Sequence, residues 1–152
     1  MSTYTVAGSK IFVSAALPAT QTASAFEALD WIEVGEITDI GSVTGRTYNT
    51  ATHAPIGSPQ QTQRKASYTL ANAEFVCGWD EEDEGQILIS TASNSNDVYA
   101  FKLEKQDTTN RYFTAQVMQF VENNGTVDNI VQGAFTLLRQ TDTIKAAAPV
   151  VV

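Results

Sequence analysis

Apolar and polar residues alternate along most of this chain with the two-residue period of a strand. "SKIFVSAA", Ser9 to Ala16, is β-branched and aromatic and predicts the first strand. "WIEVGEITDIGSV", Trp31 to Val43, sets Ile32, Val34, Ile37 and Ile40 among acids. Gly35 and Gly41 interrupt that run as bulges or points of close backbone approach, giving one kinked strand or two short ones. "TQRKASYTLANAEFVCGW", Thr62 to Trp79, resumes strand character with a bend at Ala71-Asn72. "DVYAFKLEK" then alternates Tyr99, Phe101 and Leu103 against Ala100, Lys102 and Glu104, a strand with one wetter face. Two more runs flank Asn123-Asn124-Gly125, and Asn-Gly is the strongest short hairpin signal. Strands that alternate, rather than run apolar throughout, favour antiparallel pairing. The fold class predicted is a mainly β, antiparallel sandwich or partial barrel of about seven or eight strands.

Three segments break the alternation. Ser24-x-x-Glu27 is a capping-box pattern and predicts a single helical turn near Ala25–Leu29. "TGRTYNTATHAPIGSPQQ", Thr44 to Gln61, is rich in Thr, Gly and Pro and reads as a long loop, of the kind that is functional or disordered when alone. "CGWDEEDEGQILISTA", Cys77 to Ala92, places five consecutive carboxylates, Asp80 to Glu84, before an apolar run. Asp80 is the expected N-cap of one flanking α-helix at about 81–94, with the acids in its first turn facing unsatisfied N–H groups. Ile87, Leu88, Thr91 and Ala92 are the face expected to lie on the sheet.

Other chemistry for the acids fits less well. A calcium loop alternates its oxygens and closes on a Glu at position twelve, which here is Thr91. A glycosidase carboxylate pair could be drawn from them, but no substrate-binding aromatic cluster accompanies it in sequence. Cys77 and His53 are the single residues of their types, too few for a zinc site. The expectation is no catalytic residue, no metal and no cofactor. A net charge of −8 with nine Lys and Arg argues against gripping nucleic acid phosphates. No signal-peptide pattern and no run of about 18 apolar residues occurs, so a soluble chain without membrane contact is expected. Only 17% of residues are charged, below the roughly 25% usual for soluble domains, as expected if other subunits cover the surface.

The order of these elements resembles the major tail tube proteins of long-tailed, siphovirus-type bacteriophages. The likeness rests on "GSKIFVSAALPAT", on Trp31, Ile32, Val34, Gly35, Ile37, Ile40 and Gly41, on an acid followed by Gly85-Gln86 and an apolar helix, and on "NNGTVDNIVQGAFTL". It covers most of residues 8–139 and divides the chain into an N-terminal arm (1–8), a tail-tube domain (9–139) and a C-terminal tail (140–152). What it implies is a virion structural subunit assembled in the bacterial host cytoplasm. Hexameric rings of it would stack into a hollow conduit through which DNA passes without specific binding. Its partners would be further copies, a tape measure protein and tail-terminating proteins. On that reading the loop reaches a neighbouring copy through Tyr48, Pro55, Ile56 and Pro59, and Glu36, Asp39, Glu104 and Glu122 are candidate lumen acids. A tube of a contractile tail or contractile secretion system is the nearest alternative. A carbohydrate-binding β-sandwich would need Trp31 and Trp79 exposed, whereas both sit in apolar runs that suggest packing.

Overall fold

The computed structural model describes residues 5–41, 43–106 and 109–146. Residues 1–4 of the expected N-terminal arm and 147–152 of the expected tail lie outside it. The described chain runs β1 (Lys10–Ser14), α1 (Ala23–Glu27), β2 (Ile32–Val34), β3 (Ile37–Ile40), β4 (Arg46–His53) and β5 (Thr62–Leu70). It continues through β6 (Ala73–Gly78), α2 (Glu84–Ser93), β7 (Tyr99–Glu104), β8 (Asn110–Asn123), β9 (Gln132–Arg139) and β10 (Ile144–Ala146).

One antiparallel sheet takes the order β2-β1-β7-β8-β9-β6-β3, with β10 added to the start of β8. The 14-residue β8 belongs to two half-sheets. Its first half pairs with β7, its second with β9, and the register slips between Val117 and Gln119. A bulge sharpens local twist, and here it lets the sheet fold over. Ile11 and Val13 of β1 thus join one core with Phe75 and Cys77 of β6 and Phe135 and Leu137 of β9. Adjacent paired strands contribute stacked rings, Phe75 on Phe135 at 5.1 Å and Phe101 on Phe113 at 5.6 Å between centroids. Such pairs add about 0.5–1.5 kcal/mol each beyond burial. The two ends of the strand order, β2 and β3, are successive in sequence, so the chain itself links the margins of the partial barrel.

α2 packs on β8, β2 and β1. Its buried residues are Gly85, Gln86, Ile89 and Ala92, whereas Ile87 and Thr91 are exposed. The expected apolar face is therefore rotated, because Gly85 and Gln86 turn inward against the β2–β3 corner; the helix begins at Glu84 with Asp83, not Asp80, as N-cap. On the opposite face of the first half-sheet, α1 presents Phe26 to Tyr112 at 5.3 Å, and Trp31 closes over the same ring at 6.0 Å. The N-cap of α1 is Thr22, whose hydroxyl accepts from the Ala25 N–H, so the Ser24–Glu27 box is not the one used.

Three further expectations change. The segment read as a loop over 44–61 holds β4, which pairs along its length with β5. Thr47, Thr50 and Thr52 are β-branched, and a partner strand outweighs the local Gly and Pro signal. Asn124-Gly125 does not close a two-residue turn. The last pair is Asn123 with Gln132, and the loop between them turns at Thr126–Asn129. The tail's first part is strand β10, held on β8 by Ile144 opposite Tyr112.

Candidate functional site

The acidic run is a corner brace. Asp83 Oδ2 accepts from the Gln86 N–H at 3.1 Å, capping α2, and from the Gly35 N–H at 3.0 Å. One carboxylate thus ties the helix start to the β2–β3 corner. Gln86 is 3% exposed. Its Nε2 donates to the carbonyls of Gly78 (2.8 Å) and Gly35 (3.3 Å), and its Oε1 accepts from the Asp80 N–H at 3.0 Å. Gly85 is what allows this approach. A Cβ there would overlap the Glu33 carbonyl oxygen and lie 2.6 Å from Val34 Cα. Asp80, Glu81 and Glu82 form the turn before the helix, where the Glu82 N–H donates to Asp80 Oδ1. Among the described residues no group of three or more His, Cys, Asp or Glu is placed to hold a metal ion.

The two faces of the sheet differ. Over β1, β7 and early β8 the outer face is covered by α1 and β10 through Phe26, Tyr112, Trp31 and Ile144. Over late β8, β9, β6 and β3 no element of the described residues covers it. Register and alternation put Gln119, Val121 and Asn123 of β8 on this face. They stand beside Thr136, Ala134 and Gln132 of β9, then Glu74 and Val76 of β6 and Asp39 of β3. Only Asp39 and Glu74 are charged there. Both margins of this four-strand half are unpaired among the described residues: β8 beyond Ala115 on one side, β3 on the other.

The four acids singled out in sequence do not converge. Asp39 lies on the bare face. Glu36 adopts a left-handed φ of 61° at the β2–β3 corner, beside Gly78. Glu104 ends β7 opposite Lys10 and Asn110, on the covered half-sheet. Glu122 faces Gly133, in the row that leads to buried Cys77, so it points to the core side beyond the core's end. Glu74 was not singled out, although "AEFVCG" alternates plainly enough to place it outward.

The β4–β5 hairpin stands off as a separate two-stranded sheet with nearly every residue exposed. Tyr48 and Tyr68 pair across it at 5.4 Å, with Arg46 over the Tyr68 ring at 4.4 Å and Lys65 over Tyr48 at 4.6 Å. Ile56 at the tip is fully exposed, and Pro55 and Pro59 flank it in the connecting segment. The root is fixed. The Ala71 N–H donates to Gly45 O at 3.1 Å. Buried Arg139 donates from Nη1 to the carbonyls of Gly45 (3.1 Å) and Ala71 (3.3 Å). Burial lowers the pKa of Arg139, and the nearby Asp142 opposes that shift. Arg46 is held by an ion pair and hydrogen bonds to Asp142, which raise its pKa.

No helix of the described residues is long and apolar enough to cross a membrane. No protein-family model matches the sequence, and no curated protein does. Solved structures do match. A chain of the anti-feeding prophage baseplate aligns with a TM-score of 0.66 at 10% identity, covering 99% of this chain and 100% of the other. A chain from the sheath/tube terminator of an extracellular contractile injection system gives 0.64 at 10%, covering 97% and 99%. The SPP1 tail tube gives 0.64 at 14%, covering 91% and 76%. The mainly β, antiparallel fold is thus shared with the SPP1 tail tube and with chains of contractile systems.

Proposed function

We propose that this chain is the repeating subunit of a phage-type tail tube, a structural protein of the virion tail assembled in the bacterial cytoplasm. Copies form hexameric rings that stack into a hollow conduit for DNA. The observation that carries this reading is the bare half-sheet of late β8, β9, β6 and β3, polar on one face and unpaired at both margins. Exposed sheet edges invite pairing, and a heterologous contact that closes on itself makes a ring. In such a ring the margin of β8 in one copy meets β3 of the next, and the polar face turns to the channel. Asp39 and Glu74 then present carboxylates to passing phosphates, so the wall repels DNA and does not hold it. Tyr48, Pro55, Ile56 and Pro59 of the hairpin bury their apolar area on a neighbouring copy. A tape measure protein in the channel and terminating proteins at the ends complete the partner set.

A second reading, the tube of a contractile system, is supported by the nearly complete mutual coverage of the baseplate and terminator chains. It differs in requiring an outer face for a sheath. Negative-stain microscopy and light scattering of the purified protein test the tube itself, with rings or tubes expected. A protein that stays monomeric at every concentration and salt would sink both readings.

A further inference from the structure

The charges of this chain are segregated. Residues 44–72, the β4–β5 hairpin and its root, contain Arg46, Arg64 and Lys65 and not one of the seventeen Asp and Glu residues. The arm therefore carries +3, while the remainder sets six cations against seventeen carboxylates, −11. Arg46 is committed at the root to Asp142. Arg64 and Lys65 are consecutive in β5 and so project from opposite faces of the ribbon, both exposed. An isolated two-stranded hairpin is marginal in water, and this one shows both faces to solvent.

We infer that the arm docks by charge on the carboxylate-rich body of a second copy of this chain, with Arg64 and Lys65 as its electrostatic contacts and Tyr48, Tyr68 and Ile56 as its apolar ones. The inference rests on the tube reading and adds what selects the partner. Charge complementarity names the occupant: an acid-free arm finds in every other copy a body of opposite sign, at the concentrations assembly requires. Nucleic acid is the competing occupant for two cations. It is disfavoured because a body of −11 stands at the root of the same arm and repels phosphate. Aromatic residues and Arg together are also what protein interfaces enrich. Lys65 is steered over the Tyr48 ring, which keeps its ammonium near the ribbon and does not neutralise it. The contact is therefore salt-sensitive, since screening shortens from roughly 10 Å at 0.1 M to roughly 3 Å at 1 M.

The test uses the full chain. Copies labelled with nitrogen-15 and unlabelled copies are mixed, assembled, and treated with a carbodiimide, which joins an amine to a carboxylate only in direct contact. Lys65 is the arm's one lysine. Mixed-label peptides joining Lys65 to an Asp or Glu are expected, and they should disappear in 1 M NaCl. The R64E/K65E variant should keep the wild-type melting temperature, since both side chains are exposed, but need at least tenfold more protein to assemble. Assembly of R64E/K65E at the wild-type concentration overturns the inference while leaving the tube reading intact. So does assembled material in which Lys65 joins only carboxylates of its own copy. Retention of duplex DNA by the wild type at 0.15 M NaCl, lost in R64E/K65E, overturns it in favour of nucleic acid. A wild type that never assembles removes the tube reading, and this inference with it.

Discussion

Gly85 and Cys77 show how much a single position constrains this fold. Helix propensity alone favours Ala over Gly by about 1 kcal/mol. At Gly85 sterics win, because the atoms a Cβ would meet are the backbone of Glu33 and Val34. Gly85→Ala is expected to destabilise by about 1–3 kcal/mol in urea melts. Gly57→Ala, where a Cβ meets nothing within 4 Å, should stay within about 0.5 kcal/mol. Cys77 is buried, its thiol donating to Gly133 O at 3.5 Å. Burial pushes its pKa from 9.0 to about 11. Because the folded value is the raised one, the contribution is complete below pH 9.0 and is lost as pH climbs to about 11. The loss amounts to about 2–3 kcal/mol. Tyr112 is shifted upward too, by burial first and then by Glu27. Comparing the alkaline slope of stability in wild type and Cys77→Ala therefore isolates the thiol, and an unchanged slope would refute its role.

Among the elements, α2 and the arm are held by few, specific groups. Asp83 both caps α2 and receives the Gly35 N–H. Asp83→Ala removes a cap and orphans a donor, and about 1–3 kcal/mol is the expected loss. Glu81→Gln with Glu82→Gln should change stability by less than about 0.5 kcal/mol, as both lie outside the helix. Thermal melts of the two variants distinguish a brace from a generic acidic first turn, and equal effects would rule out the brace. The arm has its own local logic. Among the described residues its strands pair only with each other, and the Arg139 guanidinium at its root orients it against the body.

For the molecule as a whole, the arm is separable from the core. Gly45 and Ala71 already meet through a hydrogen bond, so a short Gly-Ser turn can replace residues 46–70 without strain at the root. Closure entropy changes by only about 0.6 kcal/mol per halving of loop length. The shortened protein is expected to fold as a soluble monomer and form no tubes in light scattering. Normal assembly would show that the arm makes no essential contact. Reversal of the bare sheet face, Asp39→Lys with Glu74→Lys, should leave tubes intact under the microscope but slow genome ejection from reconstituted particles. Ejection at the wild-type rate would exclude a repulsive channel wall.

The sequence by itself determined the class of fold and most strand positions, because a half-buried strand writes its burial directly into a period of two. Tyr99, Phe101 and Leu103 are core residues as their alternation requires. The break at Ala71-Asn72 separates β5 from β6 where the small and turn-forming residues fall. Four things were decided only in three dimensions. Asp83 outranks Asp80 as the cap because the Gly35 N–H, 48 residues away, competes for the helix start. β4 forms because a partner strand is present, which no local composition reports. The Asn-Gly signal yields to an eight-residue loop between β8 and β9, since the register of the long strands sets where the chain turns. Which acids share a face is likewise a matter of register across strands distant in sequence. Asp39 and Glu74 meet on one bare surface while Glu104 and Glu122 go elsewhere, and alternation within any one strand cannot choose between its two sides.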